Sequence, residues 1–175
     1  MVRYLSSTDT DDDPDTGTQP GADDQPGTDD RDVTALIPTA VAHVLATAET
    51  WLAWDGRPTL VDGNAWTPHK ALRRVTDHLV DHLAEIECRL AGQPTLPDRW
   101  HGRRLTLDTD FARFTEADLD EATSRLGRIA ACYRARLSGL DEVTLDRESA
   151  AWTVRQVVHH VANVTWYADC VGRLA

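Results

Sequence analysis

The apolar residues between Val33 and Trp54 recur at three- and four-residue steps: Leu36, Ile37, Ala40, Val41, Val44, Ala48, Trp51 and Leu52. That spacing puts them on one side of a helix and predicts a first amphipathic helix. Pro38 is tolerable if the helix starts near Ala35, where its missing N–H falls in the first turn or two. The turn formers from Asp55-Gly56-Arg57-Pro58 to Asp62-Gly63-Asn64 end it. A second stripe follows: Leu72, Val75, Leu79, Leu83, Ile86 and Leu90. Its start is marked by Thr67 as N-cap and Pro68 at the first helical position, with Trp66 just outside. A third runs through Leu119, Ala122, Leu126, Ile129, Tyr133 and Leu137, opened by the capping-box pair Thr115 and Asp118. The fourth holds Val154, Val157, Val158, Val161, Val164, Ala168, Val171 and Leu174. There Thr153 and Gln156 form the box, and Trp152 is placed for a hydrophobic staple to Val157.

Between the second and third stripes, Gln93 to Phe114 has two prolines and no sustained period, which predicts a crossover loop with one short helical piece. No segment reads as a strand. Four amphipathic helices bury their stripes most simply by packing together, so the expected fold is all-α, a four-helix bundle over residues 33–175 with a long crossover between helices two and three.

Composition changes this picture at one end. Thr8 to Asp32 holds ten Asp against one Arg, a net −9 of the whole-chain −11, with several Gly and Pro. Such a stretch cannot bury enough apolar surface to offset its ordering entropy, so residues 1–32 are expected to be a disordered acidic tail. The remaining domain is then nearly neutral, which removes the argument for a polycation partner. No basic stripe with interleaved aromatics suggests nucleic acid, and no apolar run is expected to approach the roughly 18 residues needed to span a membrane. The start MVRYLSSTD lacks a signal peptide's apolar region, so a cytoplasmic address is expected. Cys88, Cys132 and Cys170 are odd in number and far apart, which suggests reduced thiols packed as small hydrophobes.

The candidate chemistry lies in the histidines. His78 and His82 are four apart on the second helix, so both imidazoles could approach one ion, with Glu85 one turn on. On the fourth helix His160 has Val157, Val161, Val164 and Tyr167 at helical spacing and should face the interior border, while His159 lies nearer solvent. His78, His82 and His160 are therefore the candidate metal ligands, with Glu85 or Asp81 as an outer or spare oxygen donor. The alternative is that these histidines are polar residues on the shoulder of the core, paired with Asp77, Asp81 or Glu85. His43, His69 and His101 are expected to be structural or solvated. Trp66 and Trp152 have packing roles by position, while Trp100 and Trp166 are candidates to line a pocket. Nucleotide loops, the Gly-x-Ser-x-Gly elbow, Cys-x-x-Cys and the Glu-x-x-His di-iron motif are all lacking.

In the Trp66-Thr67-Pro68 entry, the long second connection and the run Thr153-Val154-Arg155-Gln156-Val157-Val158-x-His160, the chain resembles the DinB-like superfamily. These are bundle metalloproteins that include mycothiol-dependent maleylpyruvate isomerases and thiol-dependent S-transferases. The resemblance covers about Ala35 to Leu174 and implies a divalent ion, zinc or nickel, a low-molecular-weight thiol cosubstrate and a small-molecule substrate; a homodimer is the expected assembly, though not one that the resemblance implies. It also implies one histidine ligand about eight residues past the opening Trp, and two from the last helix. Here Arg74 occupies the first of those positions, and Val164, Tyr167 and Ala168 the later ones, so the ligand set has shifted to His78, His82 and His160 or the site is lost. A lost site would leave a non-catalytic bundle that dimerises or binds a partner, or a metal-free small-molecule pocket roofed by the Trp100 loop.

Overall fold

The computed structural model describes residues 32–95, 104–147 and 152–175; all of the acidic tail but Asp32, and Trp100 and His101, lie outside these. The described chain is mostly helical. Helix α1 (Val33–Ala48) continues into a 3-10 turn at Glu49–Ala53, a β-hairpin follows, and then α2 (Pro68–Leu90), α3 (Glu116–Leu137), a short α4 (Glu142–Leu145), α5 (Val154–Val161) and α6 (Thr165–Asp169). A 3-10 turn at Ala162–Val164 joins α5 to α6, so the fourth expected helix is a run of three helical pieces.

Several elements differ from those that the residue pattern predicts. Helix α1 begins at Val33, because the Asp32 carboxylate accepts the Thr34 N–H at 2.9 Å and caps it. Pro38 is thus its sixth residue and offers no N–H to the Thr34 carbonyl. Strands do exist: β1 (Thr59–Val61) pairs antiparallel with β2 (Asn64–Trp66), Val61 opposite Asn64. The two-residue connection Asp62-Gly63 has φ of 50° and 76°. Positive φ at both positions is the tight turn that matches strand twist, and Asp-Gly is among the sequences that favour it. The Val33–Ala53 run is also long and apolar enough to cross a membrane by length and composition, with mean hydropathy 1.3 and 44% of that window buried within the protein.

The cap signals hold. Thr67 accepts the Lys70 N–H at 3.2 Å, and Thr115 with Asp118 and Thr153 with Gln156 form reciprocal boxes. Thr67 is fully buried, so water cannot replace its hydroxyl. Thr67→Ala is expected to cost about 1–2 kcal/mol in urea unfolding, with Thr67→Ser restoring most of it.

Helix α1 packs on α3 and on the C-terminal helical run, and α2 packs on that same run and on α3. The stripes meet there: Ile37, Val44, Val75, Leu79, Ile86, Leu126, Val157, Val158 and Val161 are at most 0% exposed. Leu52, placed on the apolar face by its spacing, is 41% exposed because the 3-10 turn changes the residue period. Tyr133 donates its hydroxyl to the Leu79 carbonyl at 2.8 Å, and burial pushes the phenol's pKa up. The end of the crossover contains the expected helical piece, a 3-10 turn at Asp108–Phe111. It is clamped to the start of α2: Arg73 donates to Asp110 and to the Leu105 carbonyl, each at 2.7 Å, while Lys70 donates to Thr106 at 2.8 Å and to the Ala65 carbonyl at 3.0 Å.

Candidate metal centre

Because α2 packs on α5 and α6, the edge of α2 just beside its buried stripe faces the C-terminal run. His78 and His82 stand one above the other on that edge, with ring centroids 4.7 Å apart. His160 enters from α5, its ring 4.9 Å from that of His78 and 5.1 Å from that of His82. One nitrogen from each residue lies within 4.8 Å of the others. Tetrahedral zinc with ligands at about 2.0–2.1 Å needs nitrogens roughly 3.3 Å apart. Side-chain rotation of an ångström or so closes that difference, and this group could hold a metal ion. All three imidazoles are half-buried, with the His82 side chain 21% exposed, so a bound ion would keep a face toward solvent.

The outer contacts suit such a role. His82 Nδ1 lies 2.6 Å from Glu85 Oε2. The carboxylate can only accept, so His82 carries its proton on Nδ1 and leaves Nε2 as the lone-pair donor. Arg89 pairs with Glu85 and also donates to the Trp152 carbonyl, which ties this chain of contacts to the start of α5. His78 Nδ1 is 3.5 Å from the Tyr167 hydroxyl, and Arg74 donates to that hydroxyl at 3.1 Å. Trp152 lies on the His160 ring at 4.8 Å and is 45% exposed, so its place is over the site as well as at the helix entry.

Burial and the neighbouring His82 hold the His160 pKa below the ordinary imidazole value of 6.5, while Glu85 pulls it upward. His160 is therefore neutral at pH 7, as a ligand must be. For a base depressed in the folded state, the unfolded chain binds the proton more readily. Its contribution to stability is present above about pH 6.5 and is lost as the pH falls.

Of the expected oxygen donors, Glu85 takes the outer position and Asp81 is not among the converging donors. His43 pairs with Asp169 at 2.8 Å in an exposed position, and His69 lies 3.5 Å from Asp118 and edge-on to Phe114. His159 is half-buried like His160, so exposure does not separate the two. Cys170 is buried and its thiol is pushed up to about 12, Cys88 is half-buried, and Cys132 is exposed rather than packed. Trp166 packs edge-on against Trp66 at 5.4 Å. The sequence places Tyr167 only beside His160, and Arg74 only where the resemblance implies a ligand; their contact with each other, and that of Tyr167 with His78, come from the packing. The four-residue spacing of Arg74, His78 and His82 was the available signal for Arg74.

On the opposite side of α2 a cleft of about 300 Å³ is lined by His69, Arg73, Asp110, Asp118, Glu121 and Arg125. Six of the charged or titratable side chains that line it pair with one another, Arg73 with Asp110, His69 with Asp118, and Arg125 with Glu121, and Asp77 lines it as well. No protein-family model matches the chain, and the curated proteins and the solved structures give no match either.

Proposed function

We propose that the protein is a divalent-metal enzyme of DinB-like type, a four-helix bundle in which His78, His82 and His160 hold zinc or nickel. The observation that carries this reading is the convergence of three imidazole nitrogens from two elements within 4.8 Å, in a half-buried position. A bound ion would supply Lewis acidity, making a low-molecular-weight thiol or a water a nucleophile at neutral pH. The chain's own residues prepare this. Glu85 holds His82 in the ligating tautomer, Tyr167 orients His78, and the Trp152 ring shields His160 from water on one side.

Protein purified without a polyhistidine tag is expected to carry about one ion per chain by elemental analysis, at the stoichiometry of a three-ligand site. The ion should leave as the pH falls below about 6, because protons compete for the imidazoles. A protein that emerges metal-free, and whose melting temperature ignores added Zn²⁺, would sink the proposal.

One observation favours a second reading. The contacts His82–Glu85–Arg89 and His78–Tyr167–Arg74 give these polar groups partners without an ion. In that case the histidines only complete the polar border of a non-catalytic bundle.

A further inference from the structure

One turn before His78 on the same edge of α2 stands Arg74, and one turn before that Lys70, so residues 70, 74, 78 and 82 form a line at four-residue spacing. The first two are buried cations: Lys70 is 1% exposed and Arg74 8%. Lys70 is held by the Ala65 carbonyl, the Thr106 hydroxyl and the Trp66 ring, whose centroid is 4.6 Å from Nζ. Burial, and after it the charge of Arg73, push its pKa down, with Asp110 opposing and Arg74 adding to the depression. Arg74 has less to meet its charge. Its Nη2 donates to the Tyr167 hydroxyl at 3.1 Å, and its Cζ lies 5.0 Å from the centroid of the Tyr167 ring. No carboxylate among the described residues forms an ion pair with it.

A guanidinium does not give up its proton, and a buried charge that meets no counter-ion among the described residues is costly. A phenol offers it only a dipole and a π face. Meanwhile the buried Lys70 raises the positive potential on the same edge. The Tyr167 oxygen that receives the Arg74 hydrogen bond is also 3.5 Å from His78 Nδ1, so an anion at Arg74 would lie about one helical turn from the histidine group.

We propose that Arg74 is an anion receptor beside the three histidines, and that the ligand it takes is a small carboxylate. The planar guanidinium matches a carboxylate's two oxygens, and only one of its nitrogens is engaged by Tyr167. The carboxylate end would pair with Arg74 while the rest of the molecule reaches toward His78 and His82, the more solvent-accessible end of the line. This deepens the substrate side of the metal reading and rests on it for the chemistry that follows, but anion capture itself needs no ion.

The test uses full-length, chelator-treated protein melted with sodium acetate, and at matched ionic strength with sodium chloride plus acetamide. About 0.1 M acetate should raise the midpoint by roughly 2–4 °C, and neutral acetamide should not. Arg74→Met should abolish the acetate shift while melting in chloride at or above the wild-type midpoint, because a buried charge that no described carboxylate meets is gone. If that variant does not fold, Arg74→Lys provides the comparison: it keeps the charge, loses the planar fork, and should bind acetate more weakly. Wild type that ignores acetate, an acetate shift undiminished in either variant, or a response to inorganic phosphate with none to acetate overturns the proposal. One ion per chain with no acetate response overturns the Arg74 proposal alone. An acetate response in a chain that takes no ion overturns the metal reading alone.

Discussion

His82→Ala is expected to lower the affinity for Zn²⁺ by more than about 100-fold, since losing even an outer-sphere partner of a ligand typically costs 10–100-fold. The physical reason is position. His82 lies 4.7 Å and 5.1 Å by ring centroid from His78 and His160, and of the three imidazoles it is the one held by a carboxylate, Glu85 at 2.6 Å. Removing it leaves one imidazole from each of α2 and α5, too few for a closed chelate. Glu85→Ala should fall in the roughly 10–100-fold range, because His82 stays but its ring and proton are no longer held. His43→Ala, whose imidazole pairs with Asp169 elsewhere on the surface, should leave affinity unchanged. Competition against a chromophoric chelator measures all three, with circular dichroism checking that each variant folds. If His82→Ala and His43→Ala bind zinc equally well, the cluster is not the site.

Trp51→Ala is expected to produce the largest loss of stability, about 3–5 kcal/mol or roughly 6–20 °C in melting temperature. Trp51 is 0% exposed, lies edge-on to Phe114 at 5.9 Å, and donates its indole N–H to the Gly172 carbonyl at 2.8 Å. It thereby joins the end of the first helical run to the segment before α3 and to the last residues of the chain. Thr50 reinforces the same junction by accepting the Leu174 N–H at 3.0 Å. Trp51→Phe keeps much of the buried area and loses only the hydrogen bond and some volume, so it should cost a minor part of the alanine value. Chemical denaturation of both variants separates the contributions. A loss below about 1 kcal/mol for alanine would mean that this junction adds little to the core.

The sequence by itself determined the helices whose stripes run unbroken and whose caps are local. Thr67, Thr115 and Thr153 each cap a helix through a side chain three residues from its partner N–H, an interaction complete within one turn. The pair His78 and His82 was legible for the same reason, because a single helix sets the distance between residues four apart. The hairpin could also have been read locally from Asp62-Gly63, but its three-residue strands carry too few positions to show an alternating pattern. What only the tertiary structure decided is which side chains from different elements meet. His160 joins His78 and His82, and Tyr167 touches both Arg74 and His78, through the way the C-terminal run packs on α2. Spacing alone puts Arg74 in line with His78 and His82 but does not show that it is buried. Its burial with no carboxylate partner among the described residues arises from packing across 93 residues of chain, and no local pattern encodes a contact at that separation.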